Sequence, residues 1–365
     1  MMSRMPALPL LLFFPYRGTK ASNLADFYKH LNPQIWAADL ARLKERKYML
    51  SWYRVFVAAI GFLCSLFSLL LAVSMIVLIV SPADAQTQAS CQFVKFNTRF
   101  LVNGGHRVLD PRNVNDYGTV VGDADDDVDF SVRGFTRWPS GSISYYRRNS
   151  LDTYFMDRSN AGITVGVAGP PFSLGTTSGT PFSLQGSTFT PFTMTVGGTT
   201  YTKFTVWGIN RWGTTVGAFT DSSGKRHGFK RFSDGKAIAL DFPGAAQTEA
   251  FAINDNGTIV GYFSKTPSPN LWRHGFIYSN GHWATLNYPN STLQTELSGI
   301  SNSNLIIGTT IKGSNATGSF LYKNGTFKNI VMPNSNVPTY ANGVSPGKDL
   351  ITGASGYTGF IATCQ

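Results

Sequence analysis

Two patterns of apolar residues divide this chain. Beyond residue 86, β-branched and aromatic residues alternate with polar ones in short runs, each closed by Gly, Pro, Asn or Asp. Before that point stands an unbroken apolar stretch from Phe56 to Val80. Short runs with a period of two predict half-buried strands, whereas a charge-free apolar run of that length predicts a helix able to cross a bilayer.

The strand-like part repeats itself. One phrase recurs: an Asn or Ser, a turn with Gly, Asn or Asp in it, a β-branched run, then a Gly. It ends at Gly122, Gly166, Gly217, Gly261, Gly308 and Gly353, at spacings of 44, 51, 44, 47 and 45 residues. A small residue followed by Phe comes later in the period, at Phe135, Phe229, Phe276, Phe320 and Phe360. Turns such as Asp234-Gly235, Asn280-Gly281 and Asn324-Gly325 follow, placed where a tight hairpin needs positive φ. Each period therefore predicts four short strands. A lone four-stranded sheet leaves both faces bare, and stacking such sheets around an axis covers them. The expected fold is all-β, a β-propeller of about six four-stranded blades occupying residues 86–365. The recurrent Gly is expected on the crowded innermost strand, and the recurrent Phe between adjacent blades.

The stretch from Asp241 through Asn254-Asp-Asn-Gly-Thr-Ile-Val-Gly261 to His274-Gly-Phe-Ile-Tyr-Ser-Asn-Gly281 resembles the HAF-type extracellular repeats of bacterial secreted proteins. The resemblance spans roughly residues 112–361 and is strongest in the third and fourth repeats. Gly replaces the middle Ala of that pattern, and its His stands only at His227 and His274. What the resemblance implies is export and a repeat fold; it implies no reaction.

The sixth repeat runs out at Gln365 with two strands accounted for, and the segments around Phe93 and from Arg99 to Pro111 are expected to complete that blade. Sharing a blade between the chain's two ends would close the ring and remove free sheet edges. Cys91 and Cys364 stand one at each end of the exported part, and an even pair in an oxidising compartment reads as a disulfide. Residues 167–206 interrupt the repeat with Pro171-Phe172, Pro181-Phe182 and Pro191-Phe192, and read as a degenerate second blade or an exposed aromatic loop.

Export rests on the N-terminal region. Lys44, Arg46, Lys47 and Arg54 precede the apolar stretch and only Asp84 follows closely, which orients everything beyond Val80 outward. Pro82 ends the predicted helix, and Ala83-x-Ala85 supplies the small side chains that a signal peptidase accepts. Residues 49–85 are thus a signal peptide cleaved after Ala85 or a retained signal anchor, and either places the repeats in the periplasm, at the cell surface or outside the cell. Residues 1–48 receive no function; Met49 stands where an ordinary signal sequence would begin.

The net charge of +11 divides into +5 for residues 1–85 and +6 for the remaining 280, with no basic run longer than two in the latter. So dispersed a charge excludes an electrostatic footprint for nucleic acid. No nucleophile elbow, zinc motif or phosphate loop is present. His227 and His274 occupy one repeat position and read as strand ties. Scattered carboxylates such as Asp241, Glu249 and Glu296 leave open a polysaccharide hydrolase or lyase with its site assembled in the central pocket. Asp123, Asp125, Asp127 and Asp129 alternate like a calcium loop, but Val128 and Gly134 stand where that loop wants Gly and Glu, so a solvated acidic loop competes. The expectation is a monomeric, cofactor-free binding or structural module for glycans or envelope proteins, calcium at that loop aside, touching membrane only through residues 56–80 if uncleaved.

Overall fold

Each repeat folds into one antiparallel sheet whose strands follow one another in sequence. In the fourth, Gln247–Ile253, Ile259–Ser264, His274–Ser279 and His282–Thr285 pair in order. Asn280 and Gly281 both have positive φ, 50° and 83°, as a two-residue hairpin of matching twist requires. The computed structural model describes residues 87–365, apart from 103, 170–178, 268–270 and 291. The 1–48 extension, the 49–85 segment with its apolar run and Ala83-x-Ala85 site, and Phe172 lie outside the described residues.

Six sheets stand around an axis. Their first strands, Gly105–Val114, Asp152–Arg158, Thr205–Ile209, Gln247–Ile253, Gln294–Ile300 and Tyr340–Val344, each touch the first strands on both sides, and the last touches the first. The described residues thus form a closed six-bladed propeller. The cores lie between blades, and each of the six interfaces packs at least one apolar cluster.

Closure follows the expected principle with different strands. The C-terminal part supplies three strands of blade 6, Tyr340–Val344, Ile351–Ser355 and Thr358–Cys364, rather than two. Cys91–Asn97 adds the outermost one, and Cys91 opposes Cys364 directly in a disulfide. The stretch from Arg99 to Pro111 belongs instead to blade 1: Arg99–Val102 is a fifth strand there, and Gly105–Val114 is its innermost. Blade 2 is regular, with Asp152–Arg158, Ile163–Gly169, Thr180–Gln185 and Thr188–Pro191 in order. The irregularity before blade 3 is an added hairpin, Met194–Val196 with Thr199–Tyr201, which buries Met194 against Phe204, Phe219 and Phe229.

The recurrent glycines sit on the second strand of each blade, which corrects their expected place on the innermost. Every first strand carries a β-bulge opposite its glycine. In blade 4, Ala250 pairs with Gly261 and Ala252 with Val260, leaving Phe251 as the extra residue. The same shift leaves Arg112, Met156, Trp207, Ser298 and Asn342 extra in the other blades. The bulge drives a first-strand carbonyl against the glycine: a Cβ on Gly122, Gly166, Gly217, Gly261, Gly308 or Gly353 would lie between 1.8 and 2.5 Å from that oxygen. Each glycine also faces, on the third strand, a fully buried Phe: Phe135, Phe182, Phe229, Phe276, Phe320 or Phe360. Phe182 completes the set that sequence reading left at five. Each such ring is worth about 2–3 kcal/mol of burial.

First strands run from one face of the ring to the other. One face carries the turns between first and second strands, where the repeated Asn or Ser lies. There Asn254 Oδ1 accepts the N–H groups of Asn256 and Thr258 at 3.1 and 2.9 Å, closing the turn upon itself. The next residue laces blades together: Asp255 accepts N–H bonds from Arg211 and Asn302 Nδ2, and Asp116 accepts those of Gly347 and Lys348. At this end of the axis a cavity of about 20 Å³ lies among residues that include Asn113, Asp157, Ile209, Ile253, Ile300 and Val344. Asp157 ties three blades, accepting bonds from Asn113 Nδ2 at 2.6 Å, its neighbour Arg158 N–H at 2.6 Å and Ile209 N–H at 2.8 Å. Burial pushes its carboxyl up to about 7 despite those three bonds, with Asp255 adding to the rise.

Two outcomes follow from this packing. Gly217→Ala would set a methyl 2.0 Å from Thr205 O and 2.7 Å from the Phe229 ring, and is expected to cost on the order of 3 kcal/mol. Gly224→Ala, at φ +85° in open space, is expected to cost about 1 kcal/mol; equal losses in urea melts would contradict the bulge account. Because the folded-state pKa of Asp157 lies above the ordinary 3.8, its contribution is fully present below that value and is lost as pH rises toward 7. Asp157→Asn should remove that slope from denaturation measured between pH 4 and 8; parallel profiles for the two proteins would contradict it.

Candidate functional site

The bulge determines what lines the axis. An extra residue cannot join the ladder, so its side chain turns out of the sheet. Around the ring these side chains reach one another's strands: the Trp207 and Phe251 rings meet edge-on at 5.4 Å, and Ser298 Oγ donates to Ala341 O at 3.3 Å. Asn342 Nδ2 donates to Pro111 O at 2.7 Å. Arg112, Trp207, Phe251, Ser298 and Asn342 are only half-buried although each lies on an innermost strand. The opposite face of the ring carries the connections between second and third strands and between blades. This is the mouth of the ring.

Two charged groups stand at the mouth, one residue pair further along the first strands. In the first, Arg112 is bidentate to Asp123, at 2.8 and 3.2 Å, and lies 2.8 Å from Asp110. The concave protein surroundings push the Asp110 carboxyl up to about 6; Arg112 opposes the rise, and Asp123 and Asp125 add to it. Burial also raises Tyr154, with Asp152, Asp123 and Asp125 contributing.

The second group spans blades 3 to 5. Arg226 of blade 3 holds Glu249 of blade 4 at 2.5 and 3.1 Å, and Tyr262 donates its hydroxyl to the same carboxylate at 2.6 Å. One blade further on, Arg273 holds Glu296 at 2.8 Å, with its guanidinium 5.3 Å from the centre of the Tyr262 ring. Burial pushes Glu296 up to about 7; Arg273 pulls it down and Glu249 adds to the rise.

Of the four aspartates expected to form a calcium loop, Asp123 belongs to the mouth and Asp125 lies two residues along the same strand. Asp127 accepts the His106 N–H, and Asp129 pairs with Arg133, so the four do not converge on one point. Among the described residues no group of three His, Cys, Asp or Glu is placed to hold a metal ion. His227 bonds Asp241 at 2.9 Å and Asp221 at 3.2 Å, while stacking on Phe219. His274 bonds Asn287 and stacks on Phe263, so each His works inside its own blade.

Sequence reading missed the axial bulge residues and the paired Arg–Glu bridges. The bridges had a readable signal. Arg226-His-Gly-Phe229 and Arg273-His-Gly-Phe276 are the same four residues, and each is followed by Glu 23 residues after its Arg.

No known family profile matches this chain, and neither does any curated protein sequence. Solved structures of similar shape include a streptogramin B lyase, at TM-score 0.43 and 11% identity, covering 75% of this chain and 98% of that one. A virginiamycin B lyase from Staphylococcus aureus gives 0.42 and 13%, covering 75% and 99%. A gluconolactonase from Xanthomonas campestris gives 0.44 and 12%, covering 78% and 99%. Likeness at this level leaves the chemistry of the chain to its own residues.

Proposed function

We propose that this protein is an exported, monomeric glycan-binding propeller that takes its ligand at the axial mouth. The proposal includes its place among the HAF-type extracellular repeat proteins, on the strength of the third and fourth repeats. One observation carries the reading: the two faces differ. The turn face is laced by Asp116 and Asp255, whereas the mouth leaves aromatic and polar side chains half-exposed on innermost strands. Concave sites with an apolar lining and a few fixed polar groups are the usual form of a ligand pocket. Most mouth carboxylates are also held: Glu249 by Arg226 and Tyr262, Asp123 by Arg112. Groups so fixed present a ligand with a constant geometry. The Cys91–Cys364 disulfide fits an oxidising compartment, which supports export by the 49–85 segment as signal peptide or anchor.

A second reading, a polysaccharide hydrolase or lyase, has one observation in its favour. Glu296, pushed up to about 7 by burial, stands near a second carboxyl group, Glu249, and a buried carboxyl beside another is the equipment of glycoside cleavage. Full-length protein applied to a glycan array, and then incubated with whichever polysaccharides it retains, separates the two. The expected result is retention with no new reducing or unsaturated ends. Cleavage that Glu296→Gln abolishes would establish the enzyme instead, and no retention of any glycan would overturn the proposal.

A further inference from the structure

The ring of bulge residues has two chemically different halves. Met156, Trp207 and Phe251, from consecutive blades, form an apolar arc, and Trp207 Nε1 is buried there with no hydrogen-bond partner among the described residues. Ser298, Asn342 and Arg112, again consecutive, form a polar arc opposite. Propeller architecture alone does not explain the split, since all six residues hold the same backbone position. A ligand centred on the axis would meet both arcs at once, so it needs an apolar face and a hydrogen-bonding edge in one small body.

A sugar ring has that form. Its axial C–H groups make an apolar face with slight positive charge, which suits the negative face of an aromatic ring, while its hydroxyls line the edge. A nucleobase shares the flat face but brings a phosphate or ribose of different chemistry. The charge at the mouth discriminates further. Asp110, Asp123, Asp125, Glu249 and Glu296 stand against Arg112, Arg226 and Arg273, so carboxylates outnumber guanidinium groups. An acidic ligand would enter a site that already repels negative charge.

We infer that the axial mouth seats a pyranose ring bearing no acid group, its C–H face on Trp207 and Phe251 and its hydroxyls toward Asn342, Arg112 and Asp110. This rests on the glycan-binding reading above and narrows it to a class of sugar and a set of contacts. Asn342 Nδ2 already donates to Pro111 O and to Asp110, so hydroxyls at that edge accept from Arg112 and donate to Asp110 and to Asn342 Oδ1. The unpartnered Trp207 N–H gives the apolar arc one polar point, which an oxygen of the ligand or a water beside it satisfies.

The test is titration of full-length protein, followed by saturation-transfer NMR and calorimetry, with three kinds of methyl glycoside: neutral hexosides, 2-amino-hexosides and hexuronides. A nucleoside monophosphate serves as a fourth probe. Neutral or amino glycosides are expected to bind, and hexuronides to bind at least tenfold more weakly. Trp207→Ala and Asn342→Ala, from opposite arcs, should each lower affinity about tenfold, as loss of a central anchor does. Trp207→Phe should fall between, and Trp212→Ala, on the turn face, should change nothing. Melting of every variant is checked first, and Phe251→Leu, expected to lower affinity likewise, stands in if Trp207→Ala does not fold. Stronger binding of hexuronides or of the nucleotide would overturn the inference. So would unchanged affinity in arc variants that melt like the wild type, and in those cases polysaccharide retention on the array would leave the broader reading standing. Failure of every glycoside together with an empty array would overturn both.

Discussion

A carbonyl oxygen lying where a side chain would begin is the constraint on which this ring depends. In all six blades the first strand bulges, and the displaced carbonyl occupies the space that any Cβ on the second strand would need. Glycine is therefore the one residue that can hold Gly122, Gly166, Gly217, Gly261, Gly308 and Gly353, although their φ values are ordinary. Removing the side chain leaves a hollow, and a Phe from the third strand fills it. Bulge, glycine and Phe form one unit that spans three strands. It fixes the register of each blade, because a slip by one residue would set a Cβ against the carbonyl.

The same unit separates structure from chemistry. Gly and Phe recur because the bulge demands them, while the extra residue has no ladder to satisfy and points at the axis. It varies from Arg112 through Met156 and Trp207 to Asn342, and the axis acquires its character from that variation. The turn face is then drawn together by Asn and Asp side chains. Cys91–Asn97 completes the outer edge of blade 6 by pairing with Thr358–Cys364. A disulfide across a sequence separation of 273 residues removes chain entropy worth about 5 kcal/mol in the loop-closure account.

Much of this architecture was legible beforehand, for reasons that show where legibility ends. A period near 45 residues, Asn-Gly turns and a cysteine at each end are local or end-to-end signals, and they led to a closed six-bladed ring. The crowding at the glycines is legible in their recurrence, but the strand that carries them is not. The crowding atom belongs to a residue twelve or thirteen positions earlier, and alternation does not reveal which neighbour presses. Phe182 escaped notice because Pro181 stands where other blades have a small residue, and the extra hairpin around Met194 hid the regularity of blade 2. Strand pattern does not state which sheet a strand joins, so it points the stretch from Arg99 to Pro111 to the closing blade, whereas that stretch belongs to blade 1. The bulge residues carry no compositional mark at all. Glu249 and Glu296, by contrast, follow identical Arg-His-Gly-Phe phrases at equal distance, a signal of the pairing that sequence reading missed.

An X-ray structure of the protein at high resolution tests the central claim most directly. The account predicts that all six first strands skip one residue opposite their glycine, with Arg112, Met156, Trp207, Phe251, Ser298 and Asn342 set around the axis and Cys91–Asn97 closing blade 6. An unbroken ladder through any of those positions, or a ring closed by Arg99–Val102 in place of Cys91–Asn97, would contradict it.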